Sequence, residues 1–390
     1  MKHVLFVIDT LRMGGAEKSL VSLLKALDPS RVNVDLFLFE TGGVLQIEVP
    51  SWVNILEADL VTRGMTLELR NYLGDVIKAG YIGAAVSRVW MTVRSRVSTK
   101  PKFSWSLVEK YIQKLNKHYD VAIGYLEGFT DFFVLDKVNA EKKIGWIHTD
   151  FTGRIPPKKE AEYYGKFDEL VTISDVCKKG FAATFPQITK PLHVLENIVL
   201  ASDVLKKSEE EAADAWPDSA HNLVTVGRLD YHKGIDIGAR AAKLLRDRGV
   251  SFCWHVYGQG IMKKELEQYI LENDLGVCFI LEGLRSNPYP YMKRADLIVQ
   301  PSRVEGKSIV LDEAKILGKA IVVTDYPSVH DQITDRVTGL ITGMEPEAIA
   351  DSIEYLLRNP ELKKQLEENA AKAPNRSYRA VEQFYKLIEA

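Results

Sequence analysis

The stretch ADLIVQPSRVEGKSIVLDEAKILGKAIVVTD, residues 295–325, indicates the fold class of the whole chain. It opens with the short apolar run ADLIVQPS and closes with a second one, AIVVTD. Between them, apolar residues recur about every 3.6 positions over Ile309–Leu317, which predicts a helix with Ser308 as its N-cap. Two short strands joined by a helix are the building unit of a parallel sheet covered by helices on both faces.

The same alternation of apolar runs and helical patterns continues through all 390 residues. Strands are predicted for residues 4–8, 34–39, 120–125, 143–147, 169–174, 222–228, 251–258, 277–283, 295–302 and 320–325. They form two series, which predicts an α/β protein with two Rossmann-like, doubly wound domains. We place these domains at residues 1–197 and 198–374, followed by a C-terminal helix within 375–390.

The composition is that of an ordinary globular protein and excludes several classes. A net charge of −2 argues against a general nucleic-acid-binding protein. The three cysteines are widely spaced, so neither a disulfide framework nor a zinc site is expected. The first apolar run, Val4–Ile8, is too short for the core of a signal peptide. We therefore expect a cytoplasmic protein.

Two glutamates flank the predicted start of the helix in RVEGKSIVLDEAKILG, with Glu305 in the loop and Glu313 inside the helix. The backbone amides of Gly306, Lys307 and Ser308 would point at a ligand in this loop, assisted by the helix dipole. Such a ligand would be anionic in the middle and carry hydroxyls at both ends, as a nucleotide sugar does. The alternative is an ordinary pair of solvated glutamates beside a helix.

Three further loops have the composition of anion-binding sites. Gly14 and Gly15 precede the first helix, and Gly258 follows a strand, so each could let a ligand approach the backbone. Arg228 and Lys233 lie five residues apart after the first strand of the second domain and would suit a diphosphate. Taken singly, each motif is also compatible with a tight turn or a surface pair of cations.

In combination, the motifs GGAE, GR…KG, GxG and SRxEG…E, in this order, resemble the retaining glycosyltransferases of family 4, which have the GT-B fold. The segments NPYPYMKRADLIVQPSRVEG and SVHDQI are similar to members that build bacterial surface polysaccharides. The resemblance implies two domains facing across a cleft, with the acceptor in the first and the nucleotide sugar in the second. It also implies that the last helix returns to the first domain.

The resemblance assigns roles to residues of the second domain. Arg228 and Lys233 correspond to the diphosphate-binding pair, Glu305 to the residue facing the donor sugar and Glu313 to the residue facing the ribose. Leu284 corresponds to a position where the backbone meets the base. The expected reaction is transfer of a hexose-type sugar, from UDP in the first instance, to a lipid-linked or polysaccharide acceptor.

In the first domain, the resemblance implies that the Gly15 loop closes over the diphosphate and that His148 lies near the sugar and the acceptor. No Asp-x-Asp motif occurs in the chain, so we expect no metal or other cofactor, with Arg228 and Lys233 stabilising the leaving diphosphate. Retention of configuration is compatible with either front-face attack or a covalent intermediate; we favour front-face attack, because Glu305 is assigned to sugar hydroxyls and no other carboxylate is an obvious nucleophile. Lys307 departs from the family pattern, because many members carry an aromatic residue at this position.

Residues 76–108 carry several cations and aromatics but no acidic residue. This composition suits either an anionic membrane surface or an ordinary helix with its aromatics in the core. A polyprenyl-diphosphate-linked acceptor would bring the enzyme to the inner face of the cell membrane as a peripheral protein.

Other functions compatible with the same motifs are a nucleotide-sugar 2-epimerase of related fold and a non-catalytic nucleotide-sugar-binding protein. A dinucleotide-dependent oxidoreductase is disfavoured, because the glycine spacing is not GxGxxG.

Overall fold

The computed structural model describes residues 1–67, 69–97, 104–212, 216 and 221–389. The chain forms two compact units. Unit 1 comprises residues 1–198 together with 377–390, and unit 2 comprises residues 199–376. The last helix, Ser377–Glu389, therefore belongs to unit 1, where Phe384 stacks on Phe6 with ring centroids 5.7 Å apart.

Unit 1 is built on a parallel sheet of seven strands in the order β3-β2-β1-β4-β5-β6-β7. The strands are β1 Lys2–Ile8, β2 Val32–Leu38, β3 Asn54–Glu57, β4 His118–Gly124, β5 Asn139–Ile147, β6 Glu169–Thr172 and β7 Leu192–Val194. The helices are α1 Gly15–Ala26, α2 Leu60–Arg63, α3 Leu69–Lys78, α4 Ile82–Val97, α5 Trp105–Val108, α6 Phe129–Lys137, α7 Lys158–Tyr164, α8 Asp175–Thr184 and α16 Ser377–Glu389.

Unit 2 repeats this plan with six parallel strands in the order β10-β9-β8-β11-β12-β13. The strands are β8 His221–Val226, β9 Phe252–Tyr257, β10 Phe279–Gly283, β11 Leu297–Gln300, β12 Ile321–Thr324 and β13 Leu340–Thr342. The helices are α9 Ala201–Ser208, α10 Ile235–Asp247, α11 Lys263–Glu272, α12 Tyr289–Arg294, α13 Ile309–Ile316, α14 Pro346–Leu357 and α15 Pro360–Lys372.

The central strands lie in the core because both of their faces are apolar. Residues Val4–Ile8 of β1 and all of β11 and β12 are buried. In unit 2, separate clusters of buried side chains cover the two faces of the sheet. Parallel strands buried on both faces explain why the sequence shows continuous apolar runs instead of polar–apolar alternation.

The predicted α/β fold class with two Rossmann-like sheets is confirmed, and a strand forms in each of the ten predicted runs. The three further strands, β3, β7 and β13, all lie at sheet edges and contain only three or four residues. Such short segments carry little hydrophobic signal, because an edge strand has a neighbour on one side only.

The order of each sheet reverses at one point, between β1 and β4 in unit 1 and between β8 and β11 in unit 2. Loops leaving two such neighbouring strands diverge, so the carboxyl ends of these strands form a crevice in which ligands of open α/β sheets bind. Ligand sites are therefore expected at the loops after β8 and β11 and at those after β1 and β4.

The charged and aromatic segment at residues 76–108 is mainly helical, and its aromatics divide between two environments. Trp105 is fully buried, whereas Trp90 on α4 is 55% exposed. Phe103 lies outside the described residues. Among the described helices, none combines the length and the apolar character needed to cross a bilayer.

Candidate functional site

The loops after β8 and β11 meet through an ion pair, in which Lys233 Nζ lies 2.6 Å from Glu305 Oε1. Lys233 ends the short 3₁₀ turn Tyr231–Lys233, and Asp230 caps this turn by accepting a hydrogen bond from the Lys233 amide at 3.1 Å. The next residue, Gly234, has φ +62°, and a Cβ atom there would lie 1.9 Å from the Pro301 carbonyl oxygen. Only glycine allows the two loops to approach this closely.

Glu305 is held through one of its two carboxylate oxygens. Oε1 accepts hydrogen bonds from Lys233 Nζ at 2.6 Å, Ser302 Oγ at 2.8 Å and Gln300 Nε2 at 3.1 Å. Oε2 makes no hydrogen bond to any residue that the structure describes, and the side chain as a whole is 10% exposed. The carboxylate is thus fixed in orientation, while its second oxygen can still accept a hydrogen bond from a ligand.

Arg303 fastens the β11 loop to the β8 loop. Its guanidinium forms a bidentate pair with Asp236 at 2.7 and 2.6 Å and donates to the Tyr231 carbonyl at 2.8 Å. Its own amide donates to the His232 carbonyl at 2.7 Å. These contacts fix the turn that carries Lys233, so Arg303 positions the ion pair without taking part in it.

The start of α13 differs from the expectation in one respect. Ser308 is the N-cap residue, but its hydroxyl bonds to Gln300 Oε1 at 2.7 Å and caps no helix amide. Its own amide donates to Gln332 Oε1 at 2.8 Å, and Gln332 Nε2 donates back to the Ser308 carbonyl at 2.7 Å. The Ser308 amide therefore donates its hydrogen bond within the protein. The prediction that this amide points at a ligand is wrong.

The two motif glutamates are not a solvated pair. Glu313 is 0% exposed, and its Oε1 accepts a hydrogen bond from the Tyr289 hydroxyl at 2.8 Å. Lys307, the residue that departs from the family pattern, is also buried, at 9% exposure. Burying two ionisable side chains in one short stretch is costly, which favours a functional role for this stretch. Gly306 lies between Glu305 and Lys307 in the same loop and is partly exposed.

The remaining predicted residues of unit 2 lie at the carboxyl edge of its sheet, with different roles. Arg228 is 68% exposed and lies 3.2 Å (Nε) from Asp230 Oδ2, so its guanidinium remains accessible. Leu284 follows β10 and is 39% exposed. A Cβ atom on Gly258 would lie 1.8 Å from the Gly227 carbonyl oxygen. Glycine at position 258 is therefore required by the approach of the Gly227 carbonyl, and a contact of Gly258 with a ligand stays a prediction.

The predicted residues of the first domain form a separate set in unit 1. Gly14 is the N-cap of α1, and Gly15 is its first residue. His148 follows β5, and its ring packs against Tyr125 with centroids 4.9 Å apart. Burial lowers the pKa of His148 to about 4, and the negative charge of Glu127 opposes this shift only in part. His148 is therefore neutral at physiological pH.

Sequence reasoning missed the residues that hold the site together, among them Gln300, Ser302 and Gln332. All three are uncharged, so no charge pattern marks them: Gln300 and Ser302 bond to Glu305 within five positions along the chain, whereas Gln332 reaches Ser308 across 24 positions. Arg303 lies inside the decisive stretch, and its pairing with Asp236, 67 positions away, has no local signal. In the part of the chain that the structure describes, no group of three or more His, Cys, Asp or Glu side chains is arranged to hold a metal ion.

Comparison with known proteins finds a family model and curated relatives that match part of this chain. Residues 206–373 match the family model described as Glycosyl transferases group 1. Alpha-D-kanosaminyltransferase of Streptomyces kanamyceticus is 32% identical over 189 residues, which are 46% of this chain and 49% of that protein. Poly(ribitol-phosphate) alpha-N-acetylglucosaminyltransferase of Staphylococcus aureus is 25% identical over 294 residues, which are 70% of this chain and 55% of that protein. The chain thus spans about half the length of these curated relatives.

Solved structures match over the whole chain at low identity. A mutant of S. aureus TarM, solved in complex with fondaparinux, alpha-GlcNAc-glycerol and UDP, matches with a TM-score of 0.71 at 15% identity. The match covers 100% of both chains. Anabaena Alr3699/HepE, in complex with UDP and glucose, has a TM-score of 0.67 at 16% identity and also covers 100% of both chains. These likenesses show that the chain has the GT-B fold.

Proposed function

We propose that this chain transfers a sugar from a nucleoside diphosphate to a lipid-linked or polysaccharide acceptor, and the match of residues 206–373 to the model of group 1 glycosyl transferases supports this proposal. The observation that carries this proposal is the contact between Lys233 and Glu305 at the crevice between β8 and β11. This contact supports the proposal because a lysine suits a diphosphate and a carboxylate suits sugar hydroxyls.

The proposed division of roles follows from this geometry. Lys233 and Arg228 stabilise the charge that develops on the departing diphosphate, so no metal is required. Glu305 binds a hydroxyl of the donor sugar through Oε2. Glu313 and Leu284 lie towards the ribose and the base. Retention of configuration is proposed to follow from front-face attack, because the fixed Oε1 orients Glu305 as a sugar ligand and not as a nucleophile.

The donor and acceptor classes are inferred from similar proteins. The TarM and HepE structures both contain UDP, which supports a UDP-linked sugar as donor. A Campylobacter jejuni relative, 28% identical over 206 residues, carries diphospho-undecaprenol in its name, which supports a polyprenyl-diphosphate-linked glycan as acceptor. Surface-glycan synthesis at the cytoplasmic face of the membrane is the role consistent with both.

A ligand screen tests the donor assignment. UDP at about 100 times its dissociation constant should stabilise the protein by about 2.7 kcal/mol, and UDP-sugars should be turned over in the presence of EDTA. NMR of the donor alone should show no change of the sugar, because the reaction needs an acceptor. Strong inhibition by EDTA would refute the metal-free reaction, and isomerisation of the donor without acceptor would indicate an epimerase.

We further propose that α4 docks on an anionic membrane. Its residues Ile82, Val86, Val89, Trp90 and Val93 are all exposed, by 37–63%, and recur at helical spacing along one face. Apolar side chains with a tryptophan on an exposed helix face, in a segment without acidic residues, are typical of interfacial helices. Arg88 does not contribute, because its guanidinium turns inward and donates to the Gly64 carbonyl at 2.9 Å.

Replacing Val86 and Trp90 together by glutamate should weaken co-sedimentation with phosphatidylglycerol vesicles by about tenfold or more. The reason is that two apolar contacts are lost and two negative charges face an anionic surface. Leu271→Glu in unit 2, where the leucine is 75% exposed, is the matched control. Equal binding of the double variant and the control would exclude α4 as the membrane-binding element.

A further inference from the structure

Gln300 is a buried amide at the carboxyl end of an otherwise apolar strand. It is the last residue of β11, follows the apolar residues Leu297–Val299 and is 4% exposed. A buried amide costs free energy unless its donors and its acceptor are hydrogen-bonded, whereas a leucine of similar size would not carry that cost. The amide is therefore expected to have a task at the crevice between β8 and β11, which lies at this end of the strand.

Both ends of the Gln300 amide have partners. Its Oε1 accepts a hydrogen bond from Ser308 Oγ at 2.7 Å. Its Nε2 lies 3.1 Å from Glu305 Oε1, 3.2 Å from the Tyr326 hydroxyl and 3.3 Å from Ser302 Oγ. An amide nitrogen has two hydrogens for these three acceptors, and hydrogen bonds to an ionised acceptor are the strongest. One of the two hydrogens is therefore assigned to the Glu305 carboxylate.

The surroundings fix which end of the Gln300 amide faces Glu305. Gln332 holds Ser308 from both sides, because it accepts from the Ser308 amide at 2.8 Å and donates to the Ser308 carbonyl at 2.7 Å. The Ser308 hydroxyl is thus held in place as a donor to Gln300 Oε1. An amide turned by 180° would place its carbonyl oxygen against the carboxylate of Glu305, where neither atom can donate a hydrogen bond.

Glu305 Oε1 has three hydrogen-bond donors, and two of them are buried. They are Lys233 Nζ, Ser302 Oγ and Gln300 Nε2. Ser302 is 0% exposed and Gln300 4%, whereas the side chain of Lys233 is 21% exposed. In the proposed function, Lys233 also contacts the diphosphate of the donor. The two buried donors have no such second task, so they can hold Oε1 while Lys233 contacts the diphosphate.

We propose that Gln300 is a positioning residue of the donor site, which keeps Glu305 Oε1 inside the protein and thereby presents Oε2 to a hydroxyl of the donor sugar. The inference rests on the proposed function and adds to it a residue that acts through Glu305. Without the amide, the carboxylate could rotate and offer either oxygen to the sugar. The acceptor for the sugar hydroxyl would then no longer have a fixed position.

The test compares the binding of UDP with that of UDP-linked sugars, so it needs no acceptor. The probes are UDP and its glucose, galactose, N-acetylglucosamine and N-acetylgalactosamine derivatives. Isothermal titration calorimetry gives each dissociation constant for the full-length protein. The sugar ratio is the dissociation constant of the UDP-sugar that the wild type binds most tightly, divided by that of UDP. A loss of contacts to the sugar raises this ratio, whereas unfolding abolishes the binding of both ligands.

Gln300→Leu should raise the sugar ratio about tenfold, because a hydrogen bond is removed from the carboxylate that contacts the sugar. The dissociation constant of UDP should change by less than about twofold, since UDP lacks the donor sugar. Gln300→Met, which keeps the length of the side chain, is the second variant should the leucine variant not fold. Gln268→Leu is the matched control, because Gln268 is exposed on α11 and likewise donates its amide to a glutamate, Glu272.

A double-mutant cycle shows whether Gln300 acts through Glu305. Glu305→Gln removes the charge that the Gln300 amide holds in place. Adding Gln300→Leu to this variant should therefore raise the sugar ratio by less than about twofold. A merely structural role of Gln300 would instead give the same rise in both backgrounds.

An unchanged sugar ratio in Gln300→Leu and Gln300→Met would overturn the inference, and so would an equal rise with and without the Glu305 substitution. A parallel loss of UDP affinity would assign Gln300 to the structure of the loop and would overturn it as well. In each of these cases the wild type still binds UDP and the UDP-sugars, so the proposed function stands. If the wild type bound neither, the proposed function and the inference would both be rejected.

Discussion

Replacing Lys233 by alanine should lower the rate of sugar transfer by about 10²–10³-fold, the effect expected for removal of one charged group that stabilises a leaving group. The ammonium lies 2.6 Å from Glu305 Oε1, so its loss also leaves that carboxylate without its cation. An unneutralised Glu305 would then repel the diphosphate. We therefore expect the dissociation constant of UDP to rise together with the loss of rate.

Lys243→Ala is the matched control for this variant. Lys243 lies on α10, ten residues further along the chain, and pairs with Asp247 at 2.7 Å on the surface. An exposed, solvent-screened pair of this kind contributes little to stability, so its loss should leave transfer unchanged. If the Lys233 variant turned over within about threefold of the wild type, the diphosphate assignment would be wrong.

Replacing Glu305 by glutamine should lower kcat by about 10²-fold and change the dissociation constant of UDP by less than about threefold. Glutamine retains an oxygen that can accept from Ser302 and Gln300, so the loop should keep its conformation. What is lost is the charge opposite Lys233 and a strong acceptor for a hydroxyl of the donor sugar. UDP lacks the donor sugar, so a measurement of UDP binding distinguishes a role of Glu305 in binding that sugar from a role in binding the nucleotide.

Measurement of kcat and of UDP affinity on the same preparation tests this separation. Glu267→Gln, on the surface of α11 and 53% exposed, serves as the control substitution. Parallel losses of rate and UDP affinity would assign Glu305 to the nucleotide or to the loop structure, and an unchanged rate would remove it from the site altogether.

Much of the fold follows from the sequence because hydrophobic patterning is local. Ten apolar runs predicted ten strands, and residues 206–373, which contain three of the four motifs behind the family resemblance, match the model of group 1 glycosyl transferases. The three strands that patterning missed are short edge strands, such as Leu340–Thr342, whose formation depends on a neighbouring strand. Propensity alone does not define such segments.

The location of the candidate site could be predicted from the sequence, whereas the contacts between its side chains could not. Ligands of open α/β sheets bind at the carboxyl ends of strands, so Lys233 and Glu305 could be recognised as loop residues of two strands. Their ion pair, in contrast, depends on β8 and β11 being neighbours in the sheet. Side-chain pairing across 72 positions is invisible to any local pattern.

The sequence by itself determined two α/β units and the loops at which a nucleotide sugar is expected to bind, because apolar periodicity and glycine-rich turns act over a few residues. The tertiary structure decided which atoms remain available there. It assigns the Ser308 amide to Gln332 and the space at Gly258 to the Gly227 carbonyl, while it leaves Glu305 Oε2 without a protein partner among the described residues. The physical reason is that buried polar groups form hydrogen bonds with the groups that lie next to them, and the fold determines which groups those are.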